Sequence, residues 1–427
     1  MAELSALPRG RWREVAAATG LLGATGAPRP TIFAEMSALA ASTGSLNLGQ
    51  GFPDADGPET VKAAATAAIA AGHNQYPPGP GIRVLREAIA AHQDRHYGIA
   101  LDPDTEILVT AGATEAIAAA VLALAGPGDE VLTLEPFYDS YAAVIALAGA
   151  THTSAPLRPG TDPADGFRLD LTALRAAFTS ATRVVLLNSP HNPTGAVLNR
   201  TELTEIARLA ARYDAVVVTD EVYEHLTYDG AVHVPIATLP GMAERTLTIS
   251  SSGKTFSLTG WKIGWVSGPA GLVDAVRAVK QFLTYVSGAP FQPAIATALD
   301  LETGSGPDST WVRDLATSLQ RRRDLLTEGL TDAGFTVVRP QGTYFVIADA
   351  ADLLAGSLAP TGIETGVDLC RELPSLAGVV GVPTSAFTRA GSDADLALAT
   401  TVRFTFVKST EVLTEAVRRL RMLRGLA

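Results

Sequence analysis

The chain has 427 residues, a length typical of two domains, and its 47% hydrophobic and 18% charged residues predict a large buried core. The formal net charge of -11 argues against nucleic acid or an anionic membrane surface as a partner. A single cysteine, Cys370, excludes a disulfide framework, and the seven scattered histidines are expected to hold no metal. Since the sequence contains neither a signal-peptide core nor an apolar run of about 18 residues, a cytoplasmic protein is predicted.

The first 30 residues differ in composition from the rest of the chain. Residues 1–30 are rich in Ala, Gly, Arg and Pro, which is typical of an arm or disordered extension that contributes little to the fold. From Thr31 the sequence predicts a short amphipathic helix, followed from Leu46 by the apolar, glycine-containing loop LNLGQGFPD. Helices are then predicted over residues 61–71 and 81–97.

Strands and helices alternate between residues 107 and 250. The predicted strands are nearly unbroken runs of Val, Leu and Ile, which indicates a mostly parallel sheet with helices on both faces. Ligands bind at the carboxyl ends of the strands in such sheets, so the residues after these ends are candidate site residues. The strands are predicted over residues 107–110, 130–134, 183–187, 215–219 and 245–249, and the segments after them are Gly112, 136–138, 188–192, 220–223 and 251–254.

The C-terminal part of the chain has a different pattern. Long helices are predicted over residues 272–285, 293–302 and 309–333, and short strands alternate with helices from residue 335 onwards. The sequence therefore predicts an α/β protein with a large domain over residues 62–305, built on a mostly parallel central sheet. Residues 31–61 and 306–427 are expected to form a smaller α+β domain.

Lys254 is the candidate nucleophile of the chain. It lies on a Ser/Gly turn between two predicted strands, where Phe256, Trp261 and Trp265 are expected to wall it with apolar groups. Such surroundings favour the uncharged amine that Schiff-base chemistry requires. A phosphate-binding loop is excluded because its first glycine would fall at position 248, which is Thr248. The remaining alternative is a solvated turn lysine.

Four segments of the chain carry motifs: N-S-P-H-N-P-T-G over 188–195, D-E-x-Y over 220–223, S-x-x-K-x(7)-K over 251–262 and V-R-F-T-F over 402–406. Each has an ordinary explanation when taken singly: N-P-T-G is a good turn, Asp220 could cap a helix, and Arg403 could be an exposed charge. Together and in this order they resemble the class I/II pyridoxal-phosphate aminotransferases, which have fold type I. The resemblance covers roughly residues 31–425.

The resemblance implies the cofactor pyridoxal 5'-phosphate and assigns residues to it. Lys254 would hold the cofactor covalently and move the proton at the substrate Cα, as general base and acid. Asp220 would pair with the protonated pyridine nitrogen. Ring contacts are further implied for Asn192, Tyr223 and Tyr138, and phosphate contacts for Ser251, Lys262 and the backbone amides of Ala113 and Thr114.

The resemblance also implies a homodimer and a mode of substrate binding. Tyr76 would reach the phosphate site of the partner subunit. Arg403 would bind the substrate α-carboxylate with its planar fork, together with Asn192. Gly51 would let the loop backbone approach the substrate. Because Gly51 and Arg403 both fall in the smaller domain, substrate binding is expected to draw that domain over the site.

Four segments narrow the resemblance to particular substrates. Residues 47–54 and 341–345 look like the kynurenine/glutamine transaminase branch, and residues 135–141 and 189–195 look closer to actinobacterial N-succinyldiaminopimelate aminotransferases. The implied reaction is amino transfer between N-succinyl-LL-2,6-diaminopimelate and 2-oxoglutarate, as in lysine biosynthesis. The alternative is a kynurenine, glutamine or methionine transaminase with cysteine-conjugate β-lyase side activity.

Ser287 and Gly288 bear on this choice of substrate. They stand where kynurenine-type relatives carry bulky residues, which predicts a roomier pocket unless Tyr285 or Phe291 fills the space. A non-catalytic regulator that carries this fold is the rival class of function. It would need a basic DNA-binding module before residue 31, and the Ala/Gly/Pro-rich residues there do not supply one.

Overall fold

The structure, a computed structural model, describes residues 10–23, 25–162 and 165–425. Its strands are β1 (Leu46–Asn47), β2 (Ile107–Thr110), β3 (Glu130–Glu135), β4 (Thr151–Pro159), β5 (Phe167–Leu169), β6 (Thr182–Asn188), β7 (Val216–Asp220), β8 (Thr246–Ser251), β9 (Gly264–Ser267), β10 (Thr336–Val338), β11 (Phe345–Asp349), β12 (Val379–Val380), β13 (Val382–Pro383) and β14 (Thr401–Thr405).

Helices surround these strands. They are α1 (Trp12–Ala18), α2 (Ile32–Thr43), α3 (Glu59–Ala70), α4 (Arg83–Tyr97), α5 (Ala113–Leu124), α6 (Ser140–Ala148), α7 (Leu171–Ala177), α8 (Arg200–Tyr213), α9 (Ser252–Thr255), α10 (Ala270–Lys280), α11 (Phe291–Leu299), α12 (Trp311–Asp332), α13 (Ala351–Ala355), α14 (Gly366–Ala377), α15 (Asp393–Ala397) and α16 (Thr410–Leu420). In the described ranges, no helix combines the length and hydropathy that a membrane span requires.

An eight-stranded sheet forms the centre of the large part of the molecule, in the order β2-β9-β8-β7-β6-β3-β4-β5. The neighbours from β8 to β4 run parallel, and β9 and β5 pair antiparallel with β8 and β4. Successive residues of β6 alternate between two helix-covered faces: Val184 and Leu186 pack towards α5 and α6, and Val185 and Leu187 towards α7 and α8. Burial on both faces explains the unbroken apolar runs, and the predicted mostly parallel sheet is confirmed.

A second, antiparallel sheet has the order β10-β11-β14-β13 and packs against helices α12, α14 and α16. The short parallel ladder of β1 with β12 joins residues 46–47 to this part of the molecule. The α/β class with a smaller α+β region is thus present. The domain boundaries at residues 61/62 and 305/306 stay a prediction.

Part of the predicted N-terminal arm is ordered, so the expectation that it contributes little to the fold was wrong there. Helix α1 packs on α6, with Ala16 buried and the Arg11 guanidinium donating to the Leu147 carbonyl at 2.9 Å. The alanines that suggested low complexity are strong helix formers and fit a close helix contact. Residues 1–9 of the arm lie outside the described residues.

Two other local predictions needed correction. Helix α10 ends at Lys280 and not at Tyr285, because the buried Lys280 ammonium binds the carbonyls of Gly79 and Tyr285 at 3.1 and 2.7 Å, which turns the chain back on itself. Lys254 lies on the short helix α9 and not on the predicted Ser/Gly turn. Strands β4 and β5 and helix α7 had no counterpart among the predicted elements.

We expect Gly329→Ala to lower the melting temperature. Gly329 lies in α12 against α16, and a Cβ atom there would approach Val417 Cγ2 to 2.2 Å. Overpacking costs about 1–3 kcal/mol, whereas alanine gains roughly 1 kcal/mol over glycine in a helix. Gly271→Ala in α10 is the matched control, since its Cβ would meet nothing within 4 Å. Equal melting temperatures for the two variants would show that α12 and α16 do not approach this closely.

Candidate active site

A pocket of about 320 Å³ lies at the carboxyl ends of β6, β7 and β8, where the second sheet faces the first. Apart from Tyr76, every site residue predicted from the sequence lines it: Gly51, Ala113, Thr114, Tyr138, Asn192, Asp220, Tyr223, Ser251, Lys254, Lys262 and Arg403. Parallel strands place the residues after their carboxyl ends at one edge of a sheet, which is why segments distant in sequence meet here.

Lys254 projects into this pocket from α9. Its ammonium donates to the Tyr344 hydroxyl at 2.8 Å, and its Nζ lies 5.7 Å from the ring centre of Tyr223. The predicted walls were wrong: Phe256 and Trp265 are buried in a separate cluster with α3, α4 and α11. Trp261 packs against the same cluster, and none of these three aromatic side chains lines the pocket. Aromatic hydroxyls, and not indoles, therefore surround the amine.

Tyr344 is a site residue that sequence reasoning missed. Its hydroxyl accepts from Lys254 and donates to the Gly51 carbonyl at 2.7 Å, which links α9 to the loop after β1. A Cβ atom on Gly51 would lie 2.4 Å from Phe345 Cζ, so only glycine fits this approach. Tyr344 lies within residues 341–345, the segment that resembles the kynurenine/glutamine transaminase branch. Nothing in that segment indicates that its tyrosine contacts a lysine 90 residues away.

Asp220 ends β7 and is buried. Its Oδ2 accepts from the Tyr141 hydroxyl at 2.7 Å, and its backbone carbonyl accepts from Asn188 Nδ2 at 2.8 Å. Burial raises the pKa of Asp220 to about 6, and the Tyr141 hydrogen bond acts in the opposite direction. A buried carboxylate at this position is stabilised by a cationic group in the pocket.

Arg403 lies on β14 with its guanidinium buried. Nη1 donates to Asn192 Oδ1 at 3.0 Å and Nη2 to the Gly49 carbonyl at 2.9 Å, whereas Nε has no hydrogen-bond partner among the described residues. The guanidinium lies 4.0 Å from the ring centre of Phe345. Burial lowers the pKa of Arg403 to about 10, so it stays charged at neutral pH. The exposed-charge interpretation of this residue was wrong.

The first turn of α5 forms a cationic corner of the pocket. Gly112 precedes the helix with φ +80°, and a Cβ atom there would lie 3.3 Å from Lys262 Nζ. A Cβ atom on Gly264 would lie 2.7 Å from the Gly112 carbonyl carbon. The two glycines therefore let the Lys262 ammonium approach the helix N-terminus, whose first amides have no partner within the helix. Such a corner accepts an anion.

Tyr138 stands beside this corner. Burial raises the pKa of Tyr138 to about 12, with Asp139 acting in the same direction and the Thr114 hydrogen bond in the opposite one, so its phenol is neutral. Its ring makes an edge contact with Tyr141 at 5.7 Å between centres. An uncharged aromatic face therefore borders the pocket between the anion corner and Asp220.

Tyr76 does not line the pocket of a single chain. Its side chain is 81% exposed, and its ring lies 5.5 Å from that of Tyr285. Ser287 and Gly288 also lie outside the pocket lining, with Ser287 Oγ accepting from Gln292 Nε2 at 3.2 Å. The reach of Tyr76 to a partner subunit and the roomier pocket both stay predictions.

The histidines are not all scattered. His92 and His96 are four residues apart on α4, which is an H-x-x-x-H spacing visible in the sequence, and both lie against His225. None of the three lines the pocket.

We expect Asp220→Asn to stabilise the ligand-free chain above pH 6. Folding raises the pKa of Asp220 from 3.8 to about 6. The favourable contribution of Asp220 to stability is therefore fully present below the unfolded-state pKa of 3.8 and is lost as the pH rises through the folded-state pKa of about 6. The substitution removes a buried negative charge, worth on the order of 1–3 kcal/mol at about pH 8. Thermal unfolding of the ligand-free protein at about pH 4 and pH 8 measures this. The exposed Asp94→Asn is the control, and a wild-type chain as stable as Asp220→Asn at the higher pH would contradict the expectation.

Known proteins are similar to this chain in sequence and in fold. Residues 43–420 match the family model for aminotransferase class I and II. The chain is 54% identical over 398 residues to probable N-succinyldiaminopimelate aminotransferase DapC of Mycobacterium tuberculosis, which covers 92% of this chain and 96% of that protein. The solved structure of N-succinyldiaminopimelate aminotransferase from the same organism has a TM-score of 0.87 at 52% identity, and covers 98% of this chain and 100% of that one.

A more distant relative has another substrate in its name. Kynurenine–oxoglutarate transaminase of Dictyostelium discoideum is 38% identical over 408 residues, which cover 91% of this chain and 92% of that protein. The fold type implied by the sequence resemblance is confirmed by these matches. Together with the family model, they show that the chain belongs to the class I and II aminotransferases.

Proposed function

We propose that this aminotransferase uses pyridoxal 5'-phosphate to move an amino group between N-succinyl-LL-2,6-diaminopimelate and 2-oxoglutarate. The observation that carries the cofactor assignment is one pocket that joins a lysine amine, a buried carboxylate and a cationic helix N-terminus. The donor assignment is supported by the relative with 54% identity, whose name includes N-succinyldiaminopimelate.

The groups of the pocket fit the three polar parts of the proposed cofactor. Asp220 is a buried carboxylate in need of a cation, which a protonated pyridine nitrogen provides. Lys262, Ser251 and the amides of Ala113 and Thr114 would hold the phosphate at the α5 corner, where a Cβ atom on Gly112 would crowd the Lys262 ammonium. Tyr138 would cover the ring face, while Asn192 and Tyr223 would bind the ring hydroxyl. Lys254 would hold the cofactor covalently.

Lys254 is also placed to move a proton. When bound, pyridoxal phosphate supplies an electron-accepting ring that stabilises negative charge at the substrate Cα. The Lys254 amine would take the proton from Cα and return it on the other side of the transfer, as base and then as acid. The Tyr344 hydroxyl, 2.8 Å from Nζ, would hold the amine in position between the two proton transfers.

Arg403 would bind the substrate α-carboxylate. Its Nε is buried and without a hydrogen-bond partner among the described residues, although burying such a donor is costly. Two of its nitrogens already hold Asn192 and the Gly49 carbonyl, which fixes the plane of the guanidinium. A carboxylate in the pocket would satisfy Nε and offset the positive charge.

Closure of the site would follow from where these residues lie. Gly51 follows β1 and Arg403 lies on the second sheet, so both belong to the smaller part of the molecule. A substrate held by both residues would draw this part towards the pocket and exclude water. In the proposed homodimer, Tyr76 reaches the phosphate site of the partner subunit. Tyr285, which contacts Tyr76, is itself partly exposed, and this is compatible with a contact between subunits. The cytoplasmic location stays a prediction from the sequence.

The alternative donors are kynurenine, glutamine and methionine, with β-lyase activity on cysteine conjugates. The kynurenine–oxoglutarate transaminase at 38% identity supports this alternative. Every pocket residue named above would serve either set of donors, because all act on the α-amino acid portion that the substrates share. The side-chain end of the substrate therefore decides between them.

Substitution of Arg403 tests the carboxylate assignment. We expect Arg403→Ala to reduce kcat/KM for every amino donor by about 30-fold or more, since removing one partner of a buried charge pair costs about 2–5 kcal/mol. Arg403→Lys should recover only part of this, because an ammonium lacks the planar fork. The exposed Arg418→Ala on α16 is the control. If Arg403→Ala keeps its KM for amino acids and oxo acids alike, the carboxylate binds elsewhere.

A donor panel tests the substrate assignment. Succinyl-diaminopimelate, glutamate, kynurenine, methionine and glutamine are compared by kcat/KM, with 2-oxoglutarate and pyruvate as acceptors and the Lys254→Ala protein as the inactive background. We expect succinyl-diaminopimelate to rank first with 2-oxoglutarate. A tenfold higher kcat/KM for kynurenine or glutamine, about 1.4 kcal/mol of transition-state discrimination, would reassign the enzyme to the alternative.

A further inference from the structure

A cluster of three histidines lies outside the active-site pocket. His92 and His96 project from one face of α4, because residues four apart on a helix are neighbours. His225 comes from the segment after β7, and Glu302 from the turn after α11. One ring nitrogen of each histidine lies within 4.8 Å of those of the other two. Separate elements thus bring three imidazoles together.

The distances suit one small cation. His92 Nε2 lies 2.8 Å from His225 Nε2, and the ring centres of His96 and His225 are 4.8 Å apart. Four-coordinate zinc with zinc–nitrogen bonds of about 2.0–2.1 Å holds its ligand nitrogens about 3.3 Å apart. Small side-chain movements would therefore bring the three imidazoles into the geometry of a zinc site. Glu302 Oε2 lies 3.1 Å from His96 Nε2 and offers a fourth ligand.

Hydrogen bonding within the cluster leaves one of its members unsatisfied. His92 and His225 can share one proton between their facing nitrogens. His96 Nε2 is buried and, although it lies near Glu302, has no aligned hydrogen-bond partner among the described residues. A buried nitrogen without a partner is costly. A cation at the centre of the cluster would satisfy all three rings at once.

Charge and access also favour a cation. Glu302 and Glu224, which precedes His225 and whose Oε1 accepts from Ser250 Oγ at 2.6 Å, are acidic residues beside the three imidazoles and would balance the charge of a divalent ion. The side chains of His96 and Glu302 are 23% and 30% exposed, which leaves one side of the cluster open to water.

We propose that His92, His96, His225 and Glu302 form a structural zinc site. Imidazole and carboxylate ligands suit Zn²⁺ and other late first-row ions and disfavour Mg²⁺ and Ca²⁺, which prefer oxygen alone. Four protein ligands leave no open position for catalysis. Because His225 stands two residues after Tyr223, the ion ties the segment that carries Asp220 and Tyr223 to helix α4.

Calorimetric titration of the metal-free holoenzyme with zinc chloride tests the site. We expect one Zn²⁺ per chain and a higher melting temperature with zinc, and no uptake of Mg²⁺. His96→Gln should weaken zinc binding at least about 100-fold, since even losing a group that only orients a ligand costs about 10–100-fold. The exposed His73→Gln is the matched control and should bind zinc as the wild type does.

Two further measurements keep the test decisive. Glu302→Gln removes the fourth ligand at a partly exposed position, which serves if His96→Gln fails to fold. Titration with Co²⁺ should give the strong visible absorption of a four-coordinate ion in the wild type, and lose it in either variant. A wild type that takes up no zinc, or a His96→Gln protein that binds it with unchanged affinity, would leave only hydrogen-bonded histidines and overturn the proposal.

Discussion

One buried hydrogen bond joins the two sheets of this protein at the pocket. Arg403 on β14 donates to the side chain of Asn192, which follows β6 of the large sheet. The same guanidinium reaches the Gly49 carbonyl, so three parts of the chain meet on one charged group. The aromatic faces of Phe345 and Phe387 enclose it at 4.0 and 4.4 Å. Because breaking a buried charged bond leaves two unpaired groups, this contact holds the two sheets together at the pocket in the ligand-free chain.

The pocket collects polar groups that the rest of the fold leaves incompletely satisfied. Asp220 keeps a carboxylate in a site that favours its protonated form, and Arg403 Nε, in an aromatic enclosure, has no hydrogen-bond partner in the part of the chain that the structure describes. Each of these costs stability in the ligand-free chain. Groups held in this way are already positioned and desolvated for a ligand of opposite charge, so the ligand need not order them on binding. The scaffold that tolerates them is a sheet buried on both faces.

Local sequence was sufficient to predict the buried parallel strands β3, β6, β7 and β8 and the residues at their ends. Buried parallel strands have a distinctive run of apolar residues, so Asn192, Asp220 and Lys254 could each be placed after such a run. Their convergence then follows from the sheet, and the motifs supplied their identities. Arg403 required the family resemblance, because nothing in its own strand distinguishes a buried arginine from an exposed one.

Contacts between distant segments could not be predicted in the same way. Tyr344 meets Lys254 across 90 residues, and His225 meets His92 across 133. Neither pair has a local signal, since each depends on how loops cross the end of a sheet. The end of α10 was misplaced for a similar reason: the buried Lys280 ammonium binds the Gly79 carbonyl about 200 residues earlier. Composition alone misled for α1, where alanine indicated a helix and not disorder.

Two glycines, one before α5 and one at the start of β9, determine how the anion corner of the pocket tolerates change. Its capacity for an anion comes from backbone amides and from the space left by two missing side chains at Gly112 and Gly264. Exchanging Ala113 or Thr114 for another residue leaves those amides in place. Adding a single methyl group at either glycine drives the backbone or the Lys262 ammonium away. Sequence drift at Gly112 and Gly264 is therefore constrained by volume, whereas the amides of residues 113 and 114 are present whichever side chains those positions carry.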